Sequence, residues 1–218
     1  MCIRDRFPTK LAKQVALLRE YPQVGVTYTQ RELIDETGKS IGFRNEALPG
    51  GRILPRMFLR NFVCFSSAMV RREVFETIGV FDPGLDLSID FDLWLRAAAH
   101  FEFRPIDEVL VKYRTGHGNL SKKLADRVST AIGIMNRALR RGVDVPKRTV
   151  ADGYVSTCQT LGYILRNSEP KTAATWYASA LRRPSGRKAS LKGLAACGLR
   201  WMSGKRSAGS AENASANG

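Results

Sequence analysis

Leu87-Ser88-Ile89-Asp90-Phe91-Asp92-Leu93-Trp94-Leu95-Arg96 decides how the rest of the chain is read. Phe91, Trp94, Leu95 and Ala98 fall at i, i+3, i+4 and i+7, the spacing of one apolar helix face. Asp90 stands where that helix should begin, and Asp92 lies in its first turn. Unpaired N–H groups and the positive end of the helix macrodipole suit a carboxylate there. A lone Asp at such a place reads first as an N-cap. Here a Gly/Asp/Pro loop, Phe81-Asp82-Pro83-Gly84-Leu85-Asp86, leads up to it. Asp90 therefore also qualifies as a general base acting on a bound hydroxyl.

Within that decade, Ser88–Arg96 resembles the acidic signature of family 2 glycosyltransferases, Glu-Asp-x-Asp-Leu-Trp-Leu-Arg, with Ile89 in place of the Glu. The likeness extends to both sides. Phe65-Ser66-Ser67-Ala68-Met69-Val70-Arg71-Arg72-Glu73-Val74-Phe75 and Gly79-Val80-Phe81-Asp82 are similar to the segment before the signature. Ile106-Asp107-Glu108-Val109-Leu110-Val111-Lys112-Tyr113-Arg114 and Gly118-Asn119-Leu120-Ser121 are similar to the segment after it.

What the resemblance implies is an α/β fold over residues 7–123: the second half of a GT-A-like nucleotide-diphospho-sugar transferase domain. Such an enzyme inverts configuration, moving a hexosyl group from a nucleotide diphosphate sugar to an acceptor hydroxyl. Bacterial surface polysaccharide is the expected setting, with a glycan or lipid-linked acceptor. By the same resemblance Asp90 is the base, Asp92 orients the acceptor or a loop, and Trp94 packs beneath. Arg114 and His117 would meet the leaving diphosphate, and Ser67 would border the substrate pockets, although serines there also cap backbone groups locally. A divalent metal, Mg or Mn, is implied as well, its main ligands an Asp-x-Asp cluster absent from these residues. Met1–Arg6 fit nothing that follows, and the expectation is a gene cut upstream, without its nucleotide-binding half.

The bulk numbers agree with a globular enzyme part. The chain has 218 residues, 44% hydrophobic and 25% charged. No apolar run approaches the length of a membrane span and no signal peptide is legible, so a cytoplasmic location is expected. Cys2, Cys64, Cys158 and Cys197 lack metal-site spacing and read as idle thiols. A net charge of +15 invites phosphate, acidic lipid or nucleic acid. Nucleic acid is the poorest of these, because the basic residues do not interleave with aromatics on any recognisable module.

Along the chain, Leu11, Val15 and Leu18 predict a short helix, and Val24, Val26 and Tyr28 a strand. Asp35-Glu36-Thr37-Gly38 predicts a hairpin turn, 53–61 and 72–78 predict helices, and 65–70, 101–103 and 108–114 predict strands. Residues 124–202 read as a helical extension whose stripe is Val128, Ile132, Met135 and Leu139. Within it, 150–166 and 172–182 are similar to one tetratricopeptide-type helix pair. Residues 203–218 are Ser/Ala/Gly/Asn-rich and predict disorder. Every charge from Arg182 to Arg206 is positive, with Leu191, Leu194, Leu199 and Trp201 interspersed. That pattern fits a solvated tail or peripheral contact with anionic lipid at the inner membrane face. A non-catalytic helical adaptor, binding a protein or membrane, stands as the second reading.

Overall fold

The computed structural model describes residues 6–43, 47–115 and 124–199. The α/β part runs α1 (Lys10–Glu20), β1 (Val24–Ile34), β2 (Ser40–Phe43), α2 (Leu54–Leu59), β3 (Met69–Val70), α3 (Arg72–Ile78), α4 (Ile89–His100) and β4 (Glu102–Arg114). The helical part follows as α5 (Leu124–Arg140), α6 (Lys147–Leu165), α7 (Pro170–Leu181) and α8 (187–199).

β1 is the hub of a small mixed sheet. It runs parallel to β4 along its whole length, from Val24 opposite Glu102 to Ile34 opposite Arg114. Its other edge is shared by two antiparallel partners, β3 opposite Val26 and Thr27 and β2 opposite Glu32 to Ile34. The two strands expected at 101–103 and 108–114 are one strand. The register shifts near Gln30 absorb the residues between them, so the apparent gap is an irregularity in pairing, not a loop. The hairpin turn forms as its residues predict. Asp35 accepts from the Thr37 and Lys39 amides and the Thr37 hydroxyl, which holds its carboxyl below the usual range, and Gly38 takes φ 92°.

α4 lies at the centre of the core. Phe91, Trp94, Leu95 and Ala98 are buried as their spacing requires, and Leu93 and Ala97 are buried too. Around them pack Val26 and Tyr28 of β1, Met57 and Phe58 of α2, and Phe103 of β4. Ile134, Met135 and Ala138 of α5, with Val145, belong to the same cluster, so the main core runs on past residue 124. α7 and α8 close smaller clusters with α6. Gly162 lets Tyr177 lie against α6, since a Cβ there would stand 2.7 Å from the ring.

Two expectations are corrected here. α1 forms, but it buries Lys10, Gln14 and Leu18 and exposes Leu11 and Val15. Gln14 explains the rotation: its amide donates to the carbonyl of Ser67 at 2.9 Å and of Thr27 at 3.4 Å, tying the helix to β1. Lys10 is drawn in with it, and burial, helped by Arg6, pushes its ammonium pKa down to about 8. The strand expected at 65–70 is a 3-10 turn, Phe65–Ser67, followed by only two strand residues. Next to that short strand, Arg71 donates to the carbonyls of Val24 at 2.8 Å and of Leu18, locking the α1–β1 turn.

Candidate functional site

The helix cap falls on Ser88, not on Asp90. Ser88 is the sole non-glycine with positive φ among the described residues, at φ 56° and ψ 29°. A left-handed serine costs about 1–2 kcal/mol, and such strain collects at functional sites. Its hydroxyl donates to the carbonyl of Arg127 on α5 at 3.0 Å instead of capping α4. Asp90 is left in the first turn. One carboxylate oxygen accepts the Phe91 amide at 3.0 Å, and the other accepts the Asn61 side-chain amide at 3.2 Å.

Asp90 opens onto a cavity of about 510 Å³. The α/β part supplies Arg31, Leu59, Arg60, Asn61, Phe65, Ser66 and Tyr113 to its lining. The helical part supplies Leu124, Arg127, Val128, Ser156, Thr157 and Thr160. Arg31 lies over the Tyr113 ring, 5.3 Å from its centroid. These two stand toward the carboxyl ends of the parallel strands β1 and β4, where open α/β sheets bind ligands.

The other residues singled out by resemblance sit elsewhere. Asp92 is buried on the opposite side of α4, paired to Arg96 at 2.8 Å and to Arg141 at 3.4 Å. Trp94 is a core side chain, edge-on to Phe103 with centroids 6.1 Å apart, and is not part of the cavity lining. Ser67 is fully buried and its hydroxyl donates to the Cys64 carbonyl at 2.8 Å, the local capping role. Arg114 donates to the carbonyls of Asp35 at 2.9 Å and Glu36 at 2.7 Å, bracing the hairpin turn, and its neighbour Tyr113 faces the cavity instead. His117 lies outside the described residues. Among the described members of the expected set, Asp90 alone borders the cavity. Arg31, Arg60, Asn61 and Arg127, which do border it, carry no local sequence signal because they come from three separate stretches of the chain.

Among the described residues no group of three His, Cys, Asp or Glu side chains converges to hold a metal. A single carboxylate among arginines is a poor donor set for a divalent cation. The residues present do not fit that group. Cys64, Cys158 and Cys197 are buried and in no disulfide, and burial raises the pKa of the Cys158 thiol. No helix among the described residues is long and apolar enough to cross a membrane.

No family model matches the chain. Over 131 residues, 55% of this chain, it is 29% identical to an uncharacterized glycosyltransferase of Rickettsia felis. An uncharacterized glycosyltransferase of Rickettsia conorii is 28% identical over the same length. The match is distant and partial: it spans 21% of each relative, so the chain corresponds to about a fifth of their length.

Proposed function

We propose that the chain is part of an inverting, GT-A-like family 2 glycosyltransferase. It moves a hexosyl group from a nucleotide diphosphate sugar to an acceptor hydroxyl in bacterial surface polysaccharide synthesis. The observation that carries the reading is Asp90: a carboxylate at a helix N-terminus, steadied by Asn61, beside a cavity at the carboxyl ends of parallel strands. The distant similarity to glycosyltransferases supports it. Inversion is a direct displacement. Asp90 takes the proton of the acceptor hydroxyl as its oxygen bonds to the anomeric carbon, and the nucleoside diphosphate departs with the electron pair of the broken bond. The strained Ser88 aims the first turn at the acceptor, and its bond to Arg127 ties that turn to α5.

The decisive variant is Asp90→Asn, assayed for sugar transfer in the product of the natural gene. Asn keeps the shape and can still accept from Phe91, but it cannot take the proton. Turnover should fall by about a hundred- to ten-thousand-fold with the melting temperature unchanged. Near wild-type turnover would return Asp90 to a structural role, and absence of transfer by the wild-type protein would favour the adaptor.

The enzyme would sit against anionic lipid through α8. Leu191, Ala195 and Leu199 recur at four-residue spacing on its outer side, and both leucines are exposed. Arg187, Lys188 and Lys192 flank them, the arrangement of an interfacial helix.

A further inference from the structure

Most of the charge around the Asp90 cavity has the opposite sign to Asp90. Arg31, Arg60 and Arg127 are in its lining, and Asp90 is the one carboxylate among the described lining residues. The Asp90 oxygens accept from the Phe91 amide and from Asn61, not from a guanidinium. A second cavity of about 520 Å³ adjoins, sharing Arg31 and Arg60, and adds Arg56 with no acidic side chain among its described lining. Concave walls of one charge sign focus the field and favour a ligand of the other sign. Two more lining residues bear on what carries that charge. The Phe65 ring is exposed, and an aromatic face in a cavity takes the C–H face of a sugar ring. Ser66 beside it is buried, and its hydroxyl has no hydrogen-bond partner. A buried hydroxyl without a partner calls for one, and a ligand rich in oxygens supplies it.

Inorganic phosphate would satisfy the arginines and leave the ring uncovered, and a neutral sugar would do the reverse. We infer that the acceptor is an anionic sugar, one whose ring bears a carboxylate or a phosphate besides the hydroxyl that receives the transferred group. That hydroxyl meets Asp90, the ring lies on Phe65, and Arg127 and Arg31 hold the anionic group. The inference rests on reading Asp90 as the base of a sugar transfer, because that reading makes this cavity the acceptor's. Arg127 is the anchor: the bond from the Ser88 hydroxyl to its carbonyl, at 3.0 Å, ties its backbone to the turn that carries Asp90. Arginine suits either anion through its planar, multi-donor fork. The helical region then sets acceptor specificity, since Arg127 comes from α5.

Ligand-observed NMR titration of the whole chain tests this, with digalacturonate and glucose 6-phosphate set against their uncharged counterparts, α-1,4-galactobiose and glucose. One anionic sugar should bind at least about tenfold more tightly than its counterpart, and which one does so tells carboxylate from phosphate. Arg127→Gln should weaken that sugar about tenfold and leave the uncharged one unchanged, with part of the loss restored in Arg127→Lys. The Ser88 bond uses the Arg127 backbone, so both variants keep it. Ser66→Ala should weaken charged and uncharged sugars alike without lowering the melting temperature, because no bond within the protein is lost. Equal affinity for charged and uncharged sugars would overturn the proposal. A preference that survives Arg127→Gln would do so too, since it would belong to the net charge of +15 and not to this cavity. Competitive displacement of the anionic sugar by UDP would assign the arginines to the leaving group instead. Asp90→Asn, assayed for transfer as above, separates the two readings. Transfer that survives in that variant while Arg127 still selects the anionic sugar removes the base and keeps the anionic acceptor. Turnover lost in that variant, with charged and uncharged sugars bound equally, does the reverse.

Discussion

Asp92 and Arg96, one helical turn apart on α4, form an ion pair sealed from solvent, with Arg96 Nη2 2.8 Å from the carboxylate. The rest of the guanidinium is spent on backbone: it donates to the carbonyls of Ile78 at 2.6 Å, Gly79 at 3.3 Å and Val80 at 3.0 Å. These are the groups where α3 ends, Gly79 taking φ 76°. The pair therefore fastens the exit of α3 to α4, and Arg141 reaches the same carboxylate from beyond the end of α5. Two aspartates two residues apart on one helix thus part company: Asp90 borders the cavity and Asp92 holds the fold.

Asp92→Ala should accordingly act on stability. It strips the counter-charge from a guanidinium that is nearly buried, a loss of about 3–5 kcal/mol. Urea unfolding would measure it. A loss below about 1 kcal/mol, the range of an exposed pair, would show that the ion pair is not the fastening described.

Lys10 gives the protein an alkaline signature. Its folded pKa lies at about 8 and its ordinary value at 10.5. Between the two, the unfolded lysine still holds a proton that the folded one has released. The unfolded state then binds more protons, and stability from this residue rises with pH through that window. Below pH 8 both states are protonated and the buried ammonium is a standing cost. Lys10→Met should be the more stable protein at pH 7, with its advantage shrinking toward pH 9.5. Unfolding curves of both proteins across that range would check it, and a constant difference would refute it.

Gly153 marks where the helical region meets the α/β part. A Cβ added there would stand 2.8 Å from the carbonyl oxygen of Phe58 and 2.9 Å from the Met135 methyl. The backbone oxygen cannot swing aside. Gly153→Ala should push α6 away from α2 at a cost of about 1–3 kcal/mol, read by thermal unfolding. Thr157, one turn along α6, lines the Asp90 cavity, so ligand affinity should fall along with stability. Gly133→Ala is the control: a Cβ there meets nothing within 4 Å, and the helix should gain slightly.

The outer side of α8 predicts salt-sensitive binding to lipid. The Leu191→Ser/Leu199→Ser double variant should lose affinity for vesicles containing phosphatidylserine, measured by co-sedimentation. Lys188→Ser and Lys192→Ser should each cost about 1 kcal/mol, and only on anionic vesicles. Equal binding to neutral vesicles, or no change in these variants, would end the idea.

What the sequence by itself determined was local. Periodicity placed α4 and named its buried face, because a 3.6-residue repeat of apolar side chains has one way to be buried. Asp35-Glu36-Thr37-Gly38 specified its turn, because an Asx side chain and a glycine at positive φ close it without help. Resemblance marked Asp90, and the structure does set it beside a cavity. Tertiary structure decided the rest. Which face α1 buries was settled by Gln14 finding backbone carbonyls in β1 and in the Phe65–Ser67 turn, which outweighed an apolar stripe of two residues. Asp92 and Arg114 look like ligand-binding charges in the sequence, but their partners are the Arg96 side chain and distant backbone carbonyls that only folding brings near. The cavity draws on both strands β1 and β4, the end of α2, and helices α5 and α6. No one-dimensional pattern can carry it, because its walls run from Arg31 to Thr160 and meet only when α5 joins the core around α4.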